Sequence, residues 1–204
     1  MGSTPVYTAV WEKRNGRDER IITIGQPWSN YQQHFDEKVE AGYIIDIVGG
    51  NDHDGYFSVW RIRSGQGFWG HHHMTESQLI MRVQELKERN YKLAYVSGYI
   101  LENTNDLRFA VIFYSNPKGD PWRYHLGMTK KDLISKVGTY AEEGLQIVHI
   151  NSYKSGKNTR YAAIWNKNDG KNASLEIELS PILLNSSIIS NEARGKSLKQ
   201  ITGL

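Results

Sequence analysis

The sequence predicts an α+β fold made of tandem copies of one unit, β-hairpin, helix, strand, each about 50 residues long. Three observations carry this. Short β-branched and aromatic runs recur at residues 7–11 (YTAVW), 56–60 (YFSVW), 109–113 (FAVIF) and 161–165 (YAAIW), their starts 49, 53 and 52 residues apart. A glycine follows each closing aromatic by five or six positions, at Gly16, Gly65, Gly119 and Gly170. Stretches 27–51, 75–99 and 129–153 all read as an amphipathic helix running directly into a strand.

The elements follow in order. Run 7–11 turns at Asn15-Gly16 into a second run at 20–24, the pattern of a hairpin. Runs 56–60, 109–113 and 161–165 repeat it, with turns at Ser64-Gly65, Pro117-Lys-Gly119 and Asn168-Asp-Gly170. Each of the first three hairpins leads into a helix. Thr75 and Gln78 have capping-box spacing, Ser29 and Gln32 offer the same box, and Thr129 with Asp132 a weaker one.

One apolar stripe runs through Tyr31, Leu79 and Leu133, then Phe35, Val83 and Val137, then Val39, Leu86 and Tyr140 with Ala141. Gly42, Asn90 and Gly144, which tolerate the left-handed conformation, end the helices. Strands at 43–48, 91–96 and 145–150 follow. A helix with one apolar stripe cannot bury it alone, so neighbouring copies share a core. The expected architecture is mostly antiparallel sheets packed against three helices. After the fourth hairpin, Ser180-Pro-Ile-Leu-Leu does not continue into an amphipathic helix of the same pattern. The expected division is one domain over 1–184, with three full repeats and a fourth terminal hairpin. Residues 185–204, rich in Ser, Lys and Asn, form a polar tail or capping segment.

Composition narrows the function classes. A charge of +3, with no Lys/Arg run longer than two, argues against a nucleic-acid partner. Zero cysteines exclude disulfides, thiolate metal sites and a cysteine nucleophile. No apolar run has the length of a membrane span, and the first ten residues carry no signal-peptide pattern. The expected location is the cytoplasm, or outside the cell after removal of a leader.

The repeated Tyr-Ala-Ala-Ile-Trp run, its glycine turn, the Thr75-capped helix and Val96-Ser-Gly-Tyr99 resemble the bacterial tandem repeat domain. They are also similar to the N-terminal repeat region of the fungal polyglycine hydrolases. The likeness covers roughly residues 6–180 and is clearest at 56–60, 75–99 and 161–165. It departs from the pattern at Pro27, which replaces the capping Thr, and at Phe113, where no Trp closes the strand. In that family the repeats often sit beside a β-lactamase-like serine hydrolase domain that carries the chemistry. The repeats themselves have no assigned catalytic residues. The resemblance therefore implies a binding or substrate-positioning module more than an enzyme.

The chain's own residues agree. The one Ser-x-x-Lys, Ser115-Asn-Pro-Lys118, falls in a turn, and Pro117 opposes the helix that would bring the amine to the hydroxyl. No Gly-x-Ser-x-Gly, phosphate loop or dinucleotide fingerprint occurs. His71-His72-His73 draws attention because alternate strand positions share a face, so His71 and His73 could chelate a metal given a third ligand such as His53 or Asp54. His125 at the matching place in the next unit favours the plainer reading, an imidazole that suits this position, and no metal or cofactor is assigned. Trp11, Trp60 and Trp165 close strands and read as core. Trp28, Trp69 and Trp122 lie near helix starts and offer flat faces for stacking on sugars or peptide backbones.

Ser97-Gly-Tyr99 and Asn151-Ser-Tyr153 form a repeated polar corner, with Gly49-Gly-Asn51 as its first copy. Candidate ligand-binding residues are thus Trp28, Trp69, Trp122, Tyr99, Tyr153, His71 and His73. The expected function is non-catalytic binding of a polymeric partner, a protein or a glycan, as an accessory region of a serine hydrolase system. The rivals are a stand-alone hydrolase or peptidase and a secreted lectin-like or toxin effector.

Overall fold

The computed structural model describes residues 20–51, 55–101, 104–170, 175–176 and 180–194. Run 7–11 with its turn at Asn15-Gly16, together with His53, Asp54 and residues 195–204, lies outside the described residues. Nine strands and four helices occur among those described: β1 (Arg20–Gln26), α1 (Trp28–Glu40), β2 (Tyr43–Asn51), β3 (Gly55–Ile62), β4 (Phe68–Met74), α2 (Glu76–Glu88), β5 (Tyr91–Ile100), β6 (Leu107–Ser115), β7 (Trp122–Met128), α3 (Lys130–Glu142), β8 (Leu145–Ser155), β9 (Asn158–Lys167) and α4 (Pro181–Ala193). They form three antiparallel three-stranded sheets, ordered β1-β3-β2, β4-β6-β5 and β7-β9-β8. The repeat is therefore strand, helix, strand, strand, and its last strand is always the central one.

This corrects the expected hairpins. The turn at Ser64-Gly65 does not fold β3 back on β4, because β3 already has β1 and β2 on its two edges. It carries the chain to the next sheet instead. The true hairpins are β2–β3, β5–β6 and β8–β9, and the last closes through Gly156-Lys157 with Gly156 at φ +59°, as a tight two-residue turn requires.

The chain divides into two compact units, Met1–Pro117 and Lys118–Leu204. In the first, two repeats share one core. Tyr31, Ile45, Val48, Tyr56 and Trp60 of the first repeat pack with Tyr99, Leu101, Ala110 and Ile112 of the second. Trp60 is wholly buried, with Phe35 edge-on at 5.4 Å. Deleting such a ring typically costs about 3–5 kcal/mol. Gly70 lets β4 approach α1 of the first repeat: a Cβ there would lie 2.7 Å from the Phe35 ring.

A polar clasp joins the same two repeats. Asp46 sits at the bulge of β2, where it accepts from Arg61 Nε at 2.7 Å and from the Tyr114 hydroxyl at 2.8 Å. Tyr114 also donates to the Ile45 carbonyl at 2.8 Å, and Arg20 lies 3.6 Å from the second carboxylate oxygen.

In the second unit, Met128, Leu133, Leu145, Ile150, Tyr161, Ala163 and Trp165 form the core, with Val137 and Tyr140 of α3 against it. α4 was not expected from the sequence. Ser180 caps it by accepting from the Leu183 N–H, and Pro181 occupies its first turn, where proline is tolerated. The domain boundary expected after residue 184 falls inside this helix.

The helix starts differ. Thr75 and Thr129 both form complete capping boxes, with Gln78 and Asp132. α1 begins at Pro27 with no side-chain cap, so Ser29 lies within its first turn and the expected Ser29–Gln32 box does not form. Gln32 instead donates to Asp36 one turn on. Gly42, Asn90 and Gly144 follow the three helices with φ of +87°, +59° and +75°, as expected of helix terminators. Their carbonyls then accept from Arg63, Asn116 and Asn168, the residues just past each central strand.

Candidate functional site

Every repeat brings its edge strand against its helix, and the same bulge shapes the strand each time. The ladders of β1, β4 and β7 slip between Thr23 and Gln26, His71 and Met74, and His125 and Met128. Gly25, His73 and Gly127 sit within those slips at φ +70°, +58° and +65°. Left-handed backbone is unusual for a histidine, and here it has a holding partner. The His73 N–H donates to the Tyr99 hydroxyl at 3.0 Å, and the Gly127 N–H donates to the Tyr153 hydroxyl at 2.9 Å. Tyr99 also shares a 2.6 Å hydrogen bond with the Tyr56 hydroxyl. Tyr99 and Tyr153 are buried, so these members of the candidate set anchor the bulge from inside.

The bulge also separates the three histidines. Because alternation breaks at His73, His71 and His73 do not form the simple shared face expected of a regular strand. His71 lies parallel to Trp69, with centroids 6.3 Å apart, and edge-on to Phe113 at 6.5 Å. His72 points the other way, edge-on to Tyr31 at 4.7 Å and Tyr56 at 5.3 Å. Burial, then the neighbouring histidines, pushes the His72 imidazole down to about 4. His71 is lowered by burial and then by Arg82. His71 Nε2 and His72 Nδ1 are enclosed with no hydrogen-bond partner. No group of three or more metal-ligating side chains occurs among the described residues.

An imidazole recurs between strand and helix in every complete repeat. His34, His71 and His125 stand edge-on to Trp60, Phe113 and Trp165 at 6.1, 6.5 and 5.9 Å. In the first repeat it comes from the helix, His34 bonding Thr23 of the strand at 3.1 Å. In the third it comes from the strand, and His125 Nε2 bonds the Tyr140 hydroxyl at 2.6 Å. Each is shifted down, first by burial. The sequence shows the histidines, but nothing in their spacing reveals that His34 and His71 occupy one site from opposite elements.

An open cleft lies beside this site in the second repeat. It measures about 430 Å³ and is lined by His72, His73 and Met74 from β4 and by Gln78, Met81, Arg82 and Glu85 from α2. Arg82 pairs with Glu85, and Met81 is largely exposed. Trp69 lies on the same strand and is about a third exposed, with the Arg89 guanidinium over its ring at 4.9 Å. Trp122 does not occupy the matching position. Trp69 pairs with Phe113 whereas Trp122 pairs with Asn166, and the true counterpart of Trp69 is Arg123, opposite Trp165. Trp122 is half-buried, with Tyr124 6.0 Å away. Trp28 opens α1, its side chain lying outside the described residues. The tryptophans thus stand at three different positions of the repeat rather than along one repeated row.

Ser115 is the last residue of β6, its N–H donating to the Gly67 carbonyl, and no helix starts there. No helix of the described residues is long and apolar enough to cross a membrane.

Comparison with known proteins agrees with the repeat seen in the fold. The sequence model of the polyglycine hydrolase-like structural repeat matches residues 22–60, 65–116 and 119–168. Each match runs from an edge strand to the end of a central strand, the strand–helix–strand–strand unit. No curated protein matches the chain. With most of its length in three consecutive copies, the chain belongs to the family of polyglycine hydrolase-like structural repeats.

Proposed function

We propose that the chain is a non-catalytic binding module that recognises a polymeric partner, polypeptide or glycan, through the strand–helix cleft of successive repeats. One observation carries the reading: core positions are held apolar from copy to copy while the cleft positions beside them vary. Tyr31, Leu79 and Leu133 fill one core position, and Trp60, Phe113 and Trp165 another. At the helix positions that line the second repeat's cleft, Gln33, Met81 and Ser135 correspond, as do His34, Arg82 and Lys136, and Glu37, Glu85 and Thr139. A constant interior with a changing face suits a partner that is itself a repeating chain read one segment per copy. Membership of the repeat family supports a role positioning substrate for a serine hydrolase domain.

The test is a peptide and glycan array probed with the purified chain, followed by calorimetric titration of the best ligand. Binding that falls at least tenfold in an Arg82→Ala, Met81→Ala double variant, with unchanged unfolding, supports the cleft. Unaltered affinity in that variant moves the site elsewhere. Turnover of an ester or peptide substrate that a single Ser→Ala change abolishes overturns the non-catalytic reading in favour of a hydrolase.

A further inference from the structure

The edge strand of the second repeat has a helix on each face. On one side lies α1 of the first repeat. Tyr31 stands edge-on to His72 at 4.7 Å, and Phe35 meets Phe68 at 6.1 Å with its ring against Gly70. On the other side lies α2, from Gln78 near Met74 in the cleft to Arg89 above Trp69. Helices of two consecutive repeats thus flank β4, and its outer edge runs between them.

The ladder fixes which main-chain groups that edge carries. The Ser115 N–H donates to the Gly67 carbonyl opposite, and the register continues as Phe68↔Tyr114, Trp69↔Phe113, Gly70↔Ile112 and His71↔Val111. In an antiparallel ladder such pairs alternate between bonded and non-bonded. Gly67, Trp69 and His71 therefore turn their amides and carbonyls toward β6. Phe68 and Gly70 turn theirs outward, and the alternation runs on to His72, the last residue before the left-handed His73. Among the described residues no strand pairs with that side of β4. The third repeat keeps the same parity. There the Lys167 N–H donates to the Pro121 carbonyl, so Trp122 and Tyr124 direct their main chain outward along β7.

A row of main-chain donors and acceptors repeating every two residues, about 7 Å, matches the spacing of another extended polypeptide. An edge of this kind is a template for a further strand, and the bulge at His73 limits how far one could run. The cleft beside it is polar and apolar by turns: Met81 is largely exposed, while Arg82 and Glu85 pair with each other. A sugar finds less here, because the Arg89 guanidinium already lies over the Trp69 ring.

We propose, resting on the binding role above, that the partner is an extended polypeptide that adds to β4 as a fourth strand and sends alternate side chains into the cleft beside Met81. In this mode main-chain bonds supply affinity and side-chain pockets supply specificity. Exchange of cleft residues between copies then changes which side chain is accepted and leaves the edge intact.

The probes are short synthetic peptides alternating Thr with Leu, Met, Glu or Lys, set against cellohexaose and chitohexaose. Calorimetric titration of the full chain is expected to detect at least one peptide series and neither sugar. N-methylation of the tightest peptide at every second residue is expected to weaken it by about tenfold or more in one phase and little in the other, since only one set of its amides faces β4. Amide hydrogen exchange at Phe68 and Gly70 is expected to slow in the complex, which a contact through side chains alone would not produce. Sugar binding without peptide binding, equal losses from both N-methylation phases, or unchanged exchange at Phe68 and Gly70 each overturn strand addition while the chain remains a binding module. Binding of neither peptides nor sugars overturns strand addition and the binding role together.

Discussion

In the second repeat the imidazole on the edge strand, His71, lies within the field of a guanidinium on the helix, Arg82; in the first, the helix supplies the imidazole, His34, and the strand a hydroxyl, Thr23. Both rings turn an edge toward the central-strand aromatic, Phe113 or Trp60. The copies thus keep a geometry and exchange the element that fills it. The lesson is that the repeat constrains the space between strand and helix more tightly than it constrains any residue. Cleft residues can therefore change while the core stays put.

The largest effect that would break this comparison comes from the shared aromatic. Trp60→Ala is expected to destabilise by about 3–5 kcal/mol, since it empties the site on which both Phe35 and His34 rest. Denaturant titration reads it; a loss under 1 kcal/mol would show that the two-repeat core does not depend on that ring. Next is Gly70→Ala, whose new methyl would meet the Phe35 ring. A loss of about 1–3 kcal/mol is expected. Gly138→Ala in α3, with open space around the added carbon, is the control and should gain about 0.5–1 kcal/mol.

A smaller effect separates the helix starts. Thr75→Ala is expected to cost about 1 kcal/mol by releasing the Gln78 N–H, whereas α1 has no side-chain cap to lose. Equal effects of Thr75→Ala and Pro27→Ala in thermal unfolding would remove that distinction.

The last effect is on pH dependence, and it is spread over four imidazoles. His72, His34, His71 and His125 all titrate lower in the folded chain than when unfolded. As pH drops below about 6.5, the unfolded chain takes up protons first, so stability falls and goes on falling toward pH 4. Above 6.5 the contribution is fully present and flat. His72→Phe should shallow the decline measured by melting temperature against pH; an unchanged slope would show that His72 is not one of its sources.

Much of this was legible in the sequence. The period, the Thr75 and Thr129 caps, the Gly42, Asn90 and Gly144 terminators and the helix stripe each depend on local chemistry, and local chemistry is written in adjacent letters. Strand partnership is not. Residues 56–60 alternate identically whether they pair forward across Ser64-Gly65 or back onto residues 43–51, and only the three-stranded sheet decides. The bulge at His73 is equally silent, because its cause is a hydroxyl 26 residues away on Tyr99. That silence misplaced His71 and His73 on one face and left Trp69 and Trp122 looking like counterparts. α4 escaped notice because Ile182, Leu183 and Ile189 blur its stripe, which shows only once Ser180 is aligned with the earlier caps.

The carboxylate of Asp46 has no equivalent in the later copies, where Ala94 and Val148 take its place. Its two strongest bonds come from different repeats, Arg61 in its own and Tyr114 in the next. Shuffling the modules would leave that charge facing a neighbour without the phenol, with only Arg61 and Arg20 beside it. The order of the copies along the polypeptide is therefore encoded chemically at this seam, and an engineer who wished to splice in another module would need to carry the Asp46–Tyr114 pair along with it.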